Sequence, residues 1–213
     1  MGTALLDDEE QLVAALKAGD EAAFMALVEA WGPAMLRLAR AHVPSQPIAE
    51  EVVGDAWVGI LRGLDRFEGR SSLKTWAFRI VSNIAKTRGV RESRSVPFSS
   101  ATPDGDEGPA VDPDRFQTEA DRHPGHWQTP PEPWPDKRLE DAETRDAALA
   151  AIAALPPRQR EIITLRDIEG FSADEARNAL ELSETNQRVL LHRARSKVRR
   201  ALEQHFETAG GRG

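Results

Sequence analysis

Asp65-Arg66-Phe67-Glu68-Gly69-Arg70-Ser71-Ser72-Leu73-Lys74-Thr75-Trp76-Ala77-Phe78-Arg79-Ile80-Val81-Ser82-Asn83-Ile84-Ala85-Lys86-Thr87-Arg88 is the stretch around which the rest of the chain is organised. Gly69 and the two serines read as a loop, and Ser71 or Ser72 can cap a following helix by accepting a bond from a free backbone N–H. The helix begins near Leu73. Leu73, Ala77, Ile80, Val81 and Ile84 recur at spacings of three and four, an apolar stripe that must face a core. Lys74, Trp76, Arg79, Asn83, Lys86 and Arg88 are left on its flanks. A ring that stacks on a base, an amide that reads a base edge and cations that neutralise phosphate are what holding single-stranded nucleic acid requires. By composition alone, a Trp on an amphipathic helix is more often a core or half-buried residue.

Word order adds to that reading. Phe67-x-Gly69-x-Ser71 followed by Thr75-Trp76-x-x-Arg79-Ile80-x-x-Asn83 resembles the promoter-melting segment of sigma-70 family factors, in their small extracytoplasmic-function (ECF) group. The resemblance implies that Lys74, Trp76, Arg79, Asn83, Lys86 and Arg88 meet the minus-10 element.

Upstream, Leu5 to Ala18 is a helical pattern closed by Gly19, and Asp20 caps a second helix in which Phe24, Leu27, Val28, Trp31, Met35 and Leu38 share a face. Gly32-Pro33 is expected to bend it. Pro44 and Pro47 bracket a turn before a third helix, Ile48 to Leu64. Ile48, Val52, Ala56 and Ile60 line one side of that helix, and Val53, Trp57, Leu61 and Leu64 widen the apolar surface. Most of this surface suits a small bundle core. Glu50-Glu51-Val52-Val53-x-Asp55-Ala56-Trp57 looks like the helix by which sigma factors bind core polymerase, at a coiled coil of its largest subunit. It differs at Gly54, where glutamine is common. The resemblance puts Glu51, Val52, Val53, Asp55 and Trp57 at that interface.

Downstream, the helical pattern fails at Gly89. Nine of the 14 prolines then gather from Pro97 to Pro135, a composition that cannot form a conventional core. From Ala101 to Asp141 there are eleven acids and four bases, which accounts for the whole net charge of −7. The remainder is neutral overall, with basic clusters at Lys86 to Arg94 and Arg188 to Arg200. Trp127 and Trp134 are expected to dock somewhere. Asp121, His123 and His126 have a spacing that matches no metal-ligand pattern.

Helices resume over Asp136 to Leu155 and Arg158 to Ile168, with Pro156-Pro157 between them and Gly170 as a stop. Ser172 can cap a short helix to Leu180. Glu181 to Glu184 makes a turn, and a last helix runs from Thr185 to Phe206. Two helices joined by so short a turn have helix-turn-helix spacing, a weak signal by itself. The second helix strengthens it, with Leu191, Ala194, Val198 and Leu202 as a buried stripe and a run of cations elsewhere, although such a run also suits a solvated face. Leu155-Pro156-Pro157-x-Gln159-Arg160-Glu161-Ile162, Gly170-Phe171-Ser172 and Arg193-Ala194-Arg195 together resemble sigma region 4. The sequence departs from that family at Ala176, Arg177 and Leu190. The resemblance implies minus-35 contacts from Ser172, Thr185, Asn186, Gln187, Arg188, His192, Arg193 and Arg195.

The expected fold is all-α, with two small helical domains: sigma region 2 over 1–96 and sigma region 4 over 139–206. An acidic Pro-rich linker (97–138) joins them and a disordered tail (207–213) follows. The chain lacks cysteine, so neither a disulfide framework nor a thiolate metal site is available. The acidic start and the lack of a membrane-length apolar run point to a cytoplasmic protein. No catalytic constellation, cofactor, metal or small-molecule substrate is indicated. The partners implied by the resemblance are RNA polymerase core, at the largest-subunit coiled coil and the flap region, promoter DNA and an anti-sigma factor. A free-standing helix-turn-helix regulator with an N-terminal sensor or dimerisation bundle is the alternative, and a pure protein adaptor is a third reading.

Overall fold

The computed structural model describes residues 8–95 and 142–210, whose regular elements are helices with no strand among the described residues. The Pro97 to Pro135 stretch, with Trp127, Trp134 and the two histidines, lies outside the described residues. The helices are α1 (Glu9–Lys17), α2 (Glu21–Ala39), α3 (Gln46–Gly63), α4 (Leu73–Ser95), α5 (Ala142–Ala153), α6 (Pro157–Ile163), α7 (Ala173–Leu180) and α8 (Glu184–Gly210). By contact the chain forms two compact units. One combines Met1–Ala101 with Glu161–Gln187, the other Thr102–Arg160 with Arg188–Gly213.

In the first unit the ends of the helices follow local chemistry. Asp8 caps α1 by accepting from Gln11 N, and Asp20 caps α2 by accepting from the N–H groups of Ala22 and Ala23. Between them Gly19 takes φ +79°, a conformation that is costly for any residue with a Cβ. α2 carries Pro33 as an interior residue. By length and composition it is apolar enough to cross a membrane, contrary to the expectation that no such run exists. Its Leu27, Met35 and Leu38 are fully buried, while Glu21, Glu29 and Arg37 break its apolar surface, so it serves as a core helix. α3 starts two residues before its expected first residue, with Pro47 in its first turn, where a missing N–H costs nothing.

α4 runs past Gly89 to Ser95, so the expected break at that glycine does not occur. Gly89 is there for a close approach: a Cβ on it would lie 2.4 Å from the His42 carbonyl oxygen in the α2–α3 connection. The expected stripe on α4 is also incomplete. Phe78 is fully buried, its ring 6.3 Å from Trp31 and 5.0 Å from Phe171. A side chain of this kind contributes roughly 1.5–3 kcal/mol on burial. Phe78 therefore ties α2 and α4 to the chain that follows α6.

That chain continues α6 as a π-helical turn, Thr164–Ile168, with Glu169 N bonded to Thr164 O. Gly170 ends it at φ +70°. α7 packs on α4 through buried Ala176, Ala179 and Leu180. Glu181, at φ 55°, turns the chain left-handed before α8, and Ser183 Oγ accepts from Asn186 N at the start of α8.

In the second unit α5 is described from Ala142, the expected start at Asp136 lying outside the described residues, and Leu149 is exposed rather than packed. Thr144 and Leu155 are buried, and Arg160 Nη2 donates to Leu155 O at 2.8 Å. On α8, Ala194, Val198 and Leu202 are buried as the spacing requires, with Leu191 half-buried. α8 extends four residues beyond Phe206.

Candidate nucleic-acid and polymerase interfaces

The loop and first turn of α4 are held from several directions. Ser72 Oγ accepts from Thr75 N at 3.1 Å and donates to Thr75 Oγ1 at 2.8 Å. Glu9, far away in sequence on α1, accepts from Leu73 N at 2.9 Å. A carboxylate at a helix N-terminus satisfies a free donor and suits the positive end of the helix. Trp76, one turn on, is half-buried, with its ring 5.2 Å from Phe67. A Cβ on Gly63 would lie 2.9 Å from Trp76 Cζ2, so that glycine makes room for the indole. The ring is thus pre-positioned beside a second aromatic at the edge of the fold.

The other α4 residues divide by partner. Asn83 is exposed. Arg88 pairs with Glu51 at 2.6 Å and with Glu92 at 3.0 Å. Lys74 Nζ stands 4.4 Å over the Phe171 ring, Arg79 lies 3.9 Å from Glu181, and Lys86 lies 3.5 Å from Glu161. Three candidate phosphate-binding cations therefore face α6 and the chain that follows it, Lys86 at Glu161 within α6 and Lys74 and Arg79 at Phe171 and Glu181 beyond it.

Glu161 escaped the sequence reading as more than a motif position. It is 1% exposed, and its Oε1 accepts from Ser82 Oγ at 2.6 Å. His42 Nε2 stands 2.9 Å and Lys86 Nζ 3.5 Å from that same oxygen. Burial pushes the Glu161 carboxyl up. The His42 contact, the Lys86 charge and the Ser82 bond together outweigh burial and hold it below the ordinary carboxylate value. The available signal was polarity on an apolar face: Glu161 adjoins Ile162-Ile163, and Ser82 falls four residues after Phe78.

On α3 the predicted polymerase residues separate by exposure. Val52 is 1% and Trp57 9% exposed. Both belong to the core, where the Trp57 ring meets the Phe24 ring edge-on at 5.6 Å, so they hold the helix rather than present a surface. Glu51 and Asp55 are exposed and Val53 is half-buried. Val58 and Leu61, absent from the sequence-based set, are the large apolar groups this helix leaves exposed. Alternation of exposed acid and exposed aliphatic side chains suits a protein partner better than DNA.

Two family models match the chain: Sigma-70 region 2 over residues 27–95 and Sigma-70, region 4 over residues 145–198. The ECF RNA polymerase sigma-E factor of Escherichia coli K12 is 28% identical over 191 residues, which cover 89% of this chain and 92% of that protein. The RNA polymerase sigma-H factor of Pseudomonas aeruginosa is 27% identical over 207 residues, 92% of this chain and 95% of that one. The chain belongs to the ECF group of the sigma-70 family. Its fold is similar to that of CnrH, solved with the cytosolic domain of CnrY, at TM-score 0.57 and 24% identity over 92% of this chain and 97% of that chain. It is also similar to that of RpoE from Bartonella quintana, solved with the anti-sigma factor NepR, at TM-score 0.56 and 21% identity over 84% of this chain and 96% of that chain.

In this ECF factor the region 4 residues are placed unequally. Ser172 Oγ accepts from Glu175 N at 3.2 Å, and Glu175 Oε2 accepts from Ser172 N at 2.8 Å, a reciprocal cap at the start of α7. The backbone and side-chain bonds to Ser172, opposed by slight burial and aided by Lys74, hold the Glu175 carboxyl below its ordinary value. Gln187 is buried, with Nε2 donating to Ala173 O at 2.9 Å. Ser172 and Gln187 thus have structural bonds. Thr185, Asn186, Arg188 and Arg195 are exposed on α8, while His192 and Arg193 are half-buried. Partial burial, then the charges of Arg193 and Arg195, push the His192 imidazole below its ordinary value.

Proposed function

We infer that this chain is a dissociable promoter-specificity subunit, which binds bacterial RNA polymerase core, directs it to particular promoters and helps to melt them. The observation that carries this is the ordered pair of family matches, region 2 followed by region 4, in a chain that aligns with ECF factors along nearly their whole length. A free-standing helix-turn-helix regulator would account only for the second match. The polymerase supplies the catalysis, and the subunit works with it in the cytoplasm.

The module boundaries follow the same reading: 1–96 for core binding and the minus-10 element, 97–138 as connector and 139–206 for the minus-35 element. On α3, Glu51, Val53 and Asp55 carry the polymerase contact, with Val58 and Leu61 beside them. Trp76 and Asn83, with the α4 cations, take the melted strand. Thr185, Asn186, Arg188, His192, Arg193 and Arg195 take the upstream duplex. Because the structural relatives were solved in complex with other proteins, the cytosolic domain of CnrY and the anti-sigma factor NepR, we assign this factor an anti-sigma partner too.

The test compares open-complex formation with core capture. Asn83→Ala removes an exposed amide, so it should impair opening and leave core pull-down near wild type. Trp76→Ala should impair opening too, with some loss of stability, because its ring fills the space over Gly63. Equal loss in both assays for Asn83→Ala would make Asn83 a structural residue and overturn its assignment.

A further inference from the structure

We propose that in the free factor the Glu161–Gln187 segment is an internal cover over the nucleic-acid side of α4, latched by the buried Glu161 carboxylate. This rests on the assignment of α4 to the melted strand. The segment meets α4 along three turns: Lys74 over the Phe171 ring, Arg79 beside Glu181, and Lys86 with Ser82 at Glu161. A further pair, Arg37 Nε with Glu169 Oε1 at 2.6 Å, fixes the segment to α2. A strand threading along α4 requires the same three cations, and therefore competes with the cover.

The chemistry of the latch suits release. An apolar contact loses its stabilisation when water enters, whereas a carboxylate, an imidazole and an ammonium group all regain hydration. Glu161 Oε2 is buried and without a hydrogen-bond partner among the described residues, so the carboxylate is only partly compensated where it sits. Phe171 against Phe78 supplies the holding contact. Glu161 supplies the registration, because its one well-bonded oxygen must meet groups from both α4 and the α2–α3 connection at once.

The ligand affinity of a chain that must open first falls by the fraction that is open. Loosening the latch should therefore raise affinity without adding any contact to DNA. Two readouts on the full-length chain test this. The first is anisotropy of a fluorescein-labelled, mixed-sequence 15-mer of single-stranded DNA. The second is the spin-label distance between Val58→Cys and Asn178→Cys, exposed positions on α3 and α7 in a chain with no other cysteine.

Wild type should give one narrow distance and weak binding. Glu161→Gln should broaden the distribution to longer values and tighten binding by about tenfold, and Ser82→Ala, a milder lesion, should move both the same way by less. A narrow distance and unchanged affinity in both variants would overturn the latch. A broad distance in wild type would overturn it as well. Broadening with no gain in affinity would overturn the cover by removing α4 from the strand-binding surface, an outcome that separates failure of the functional assignment from failure of the latch.

Discussion

Two glycines on neighbouring helices differ in what surrounds them, and that difference predicts opposite results for one substitution. Gly89 faces the His42 carbonyl at a distance no Cβ can share, whereas Gly54 on α3 has nothing within 4 Å. Alanine in a helix interior is favoured over glycine by about 0.5–1 kcal/mol. At Gly54 that gain stands alone, so Gly54→Ala should raise stability by about that amount. At Gly89 it is set against displacement of the α2–α3 connection, and overpacking of this kind costs about 1–3 kcal/mol. Gly89→Ala should therefore be destabilising, by about 1 kcal/mol or more, and should disturb His42 and its contact with Glu161. Urea unfolding at neutral pH checks both, and a stabilised Gly89→Ala would refute the close approach. The sequence identifies Gly89 as a helix breaker because composition registers only its propensity. What it relieves is a contact with a backbone 47 positions away.

At the scale of elements, the readable signals were local ones. Asp20 and Ser172 announced helix starts by their side chains, Gly19 and Gly170 announced ends, and Ala194, Val198 and Leu202 kept helical spacing to the core. What escaped was long-range: Glu9 at the start of α4, Phe171 on Phe78, and Glu161 beneath Lys86. Each depends on residues brought together by the fold, and none leaves a period in the chain. Likewise, Val52 and Trp57 share a motif with Glu51 and Asp55 but point into the core, which a motif cannot distinguish from a surface. α8 carries a consequence for pH. Its His192 is held below the ordinary histidine value of 6.5 by burial and then by Arg193 and Arg195. The unfolded chain therefore takes up that proton first as pH falls. The contribution of neutral His192 is present above about pH 6.5 and lost as pH drops through the lowered folded value. Stability measured at pH 7.5 and 5.5 should fall between the two, and His192→Gln should reduce the fall. An unchanged difference in that variant would assign the effect elsewhere.

For the whole molecule, the question is how much of promoter opening one subunit can sustain. Separating duplex costs about 1.4 kcal/mol per base-pair step. An aromatic platform returns about 1–3 kcal/mol per base stacked on it. Trp76, with Phe67 beside it, is the aromatic pair at this site, so it can capture one or two bases that have left the stack but cannot hold many pairs apart. Nor are the cations on α4 at liberty to add much: Lys74, Arg79 and Lys86 face Phe171, Glu181 and Glu161, and Arg88 faces Glu51 and Glu92. Opening by the free chain would have to supply unstacking and the release of these contacts together. The remainder of the opening energy has to come from core polymerase. Permanganate should therefore find reactive thymines in promoter DNA only when core and this factor are both present. Asn83→Ala should reduce that reactivity, while Glu161→Gln, which acts only on the covered free form, should leave it near wild type once holoenzyme has assembled. Reactive thymines with the factor alone would mean that its own surface sustains a bubble, and would refute the division of labour between subunit and core.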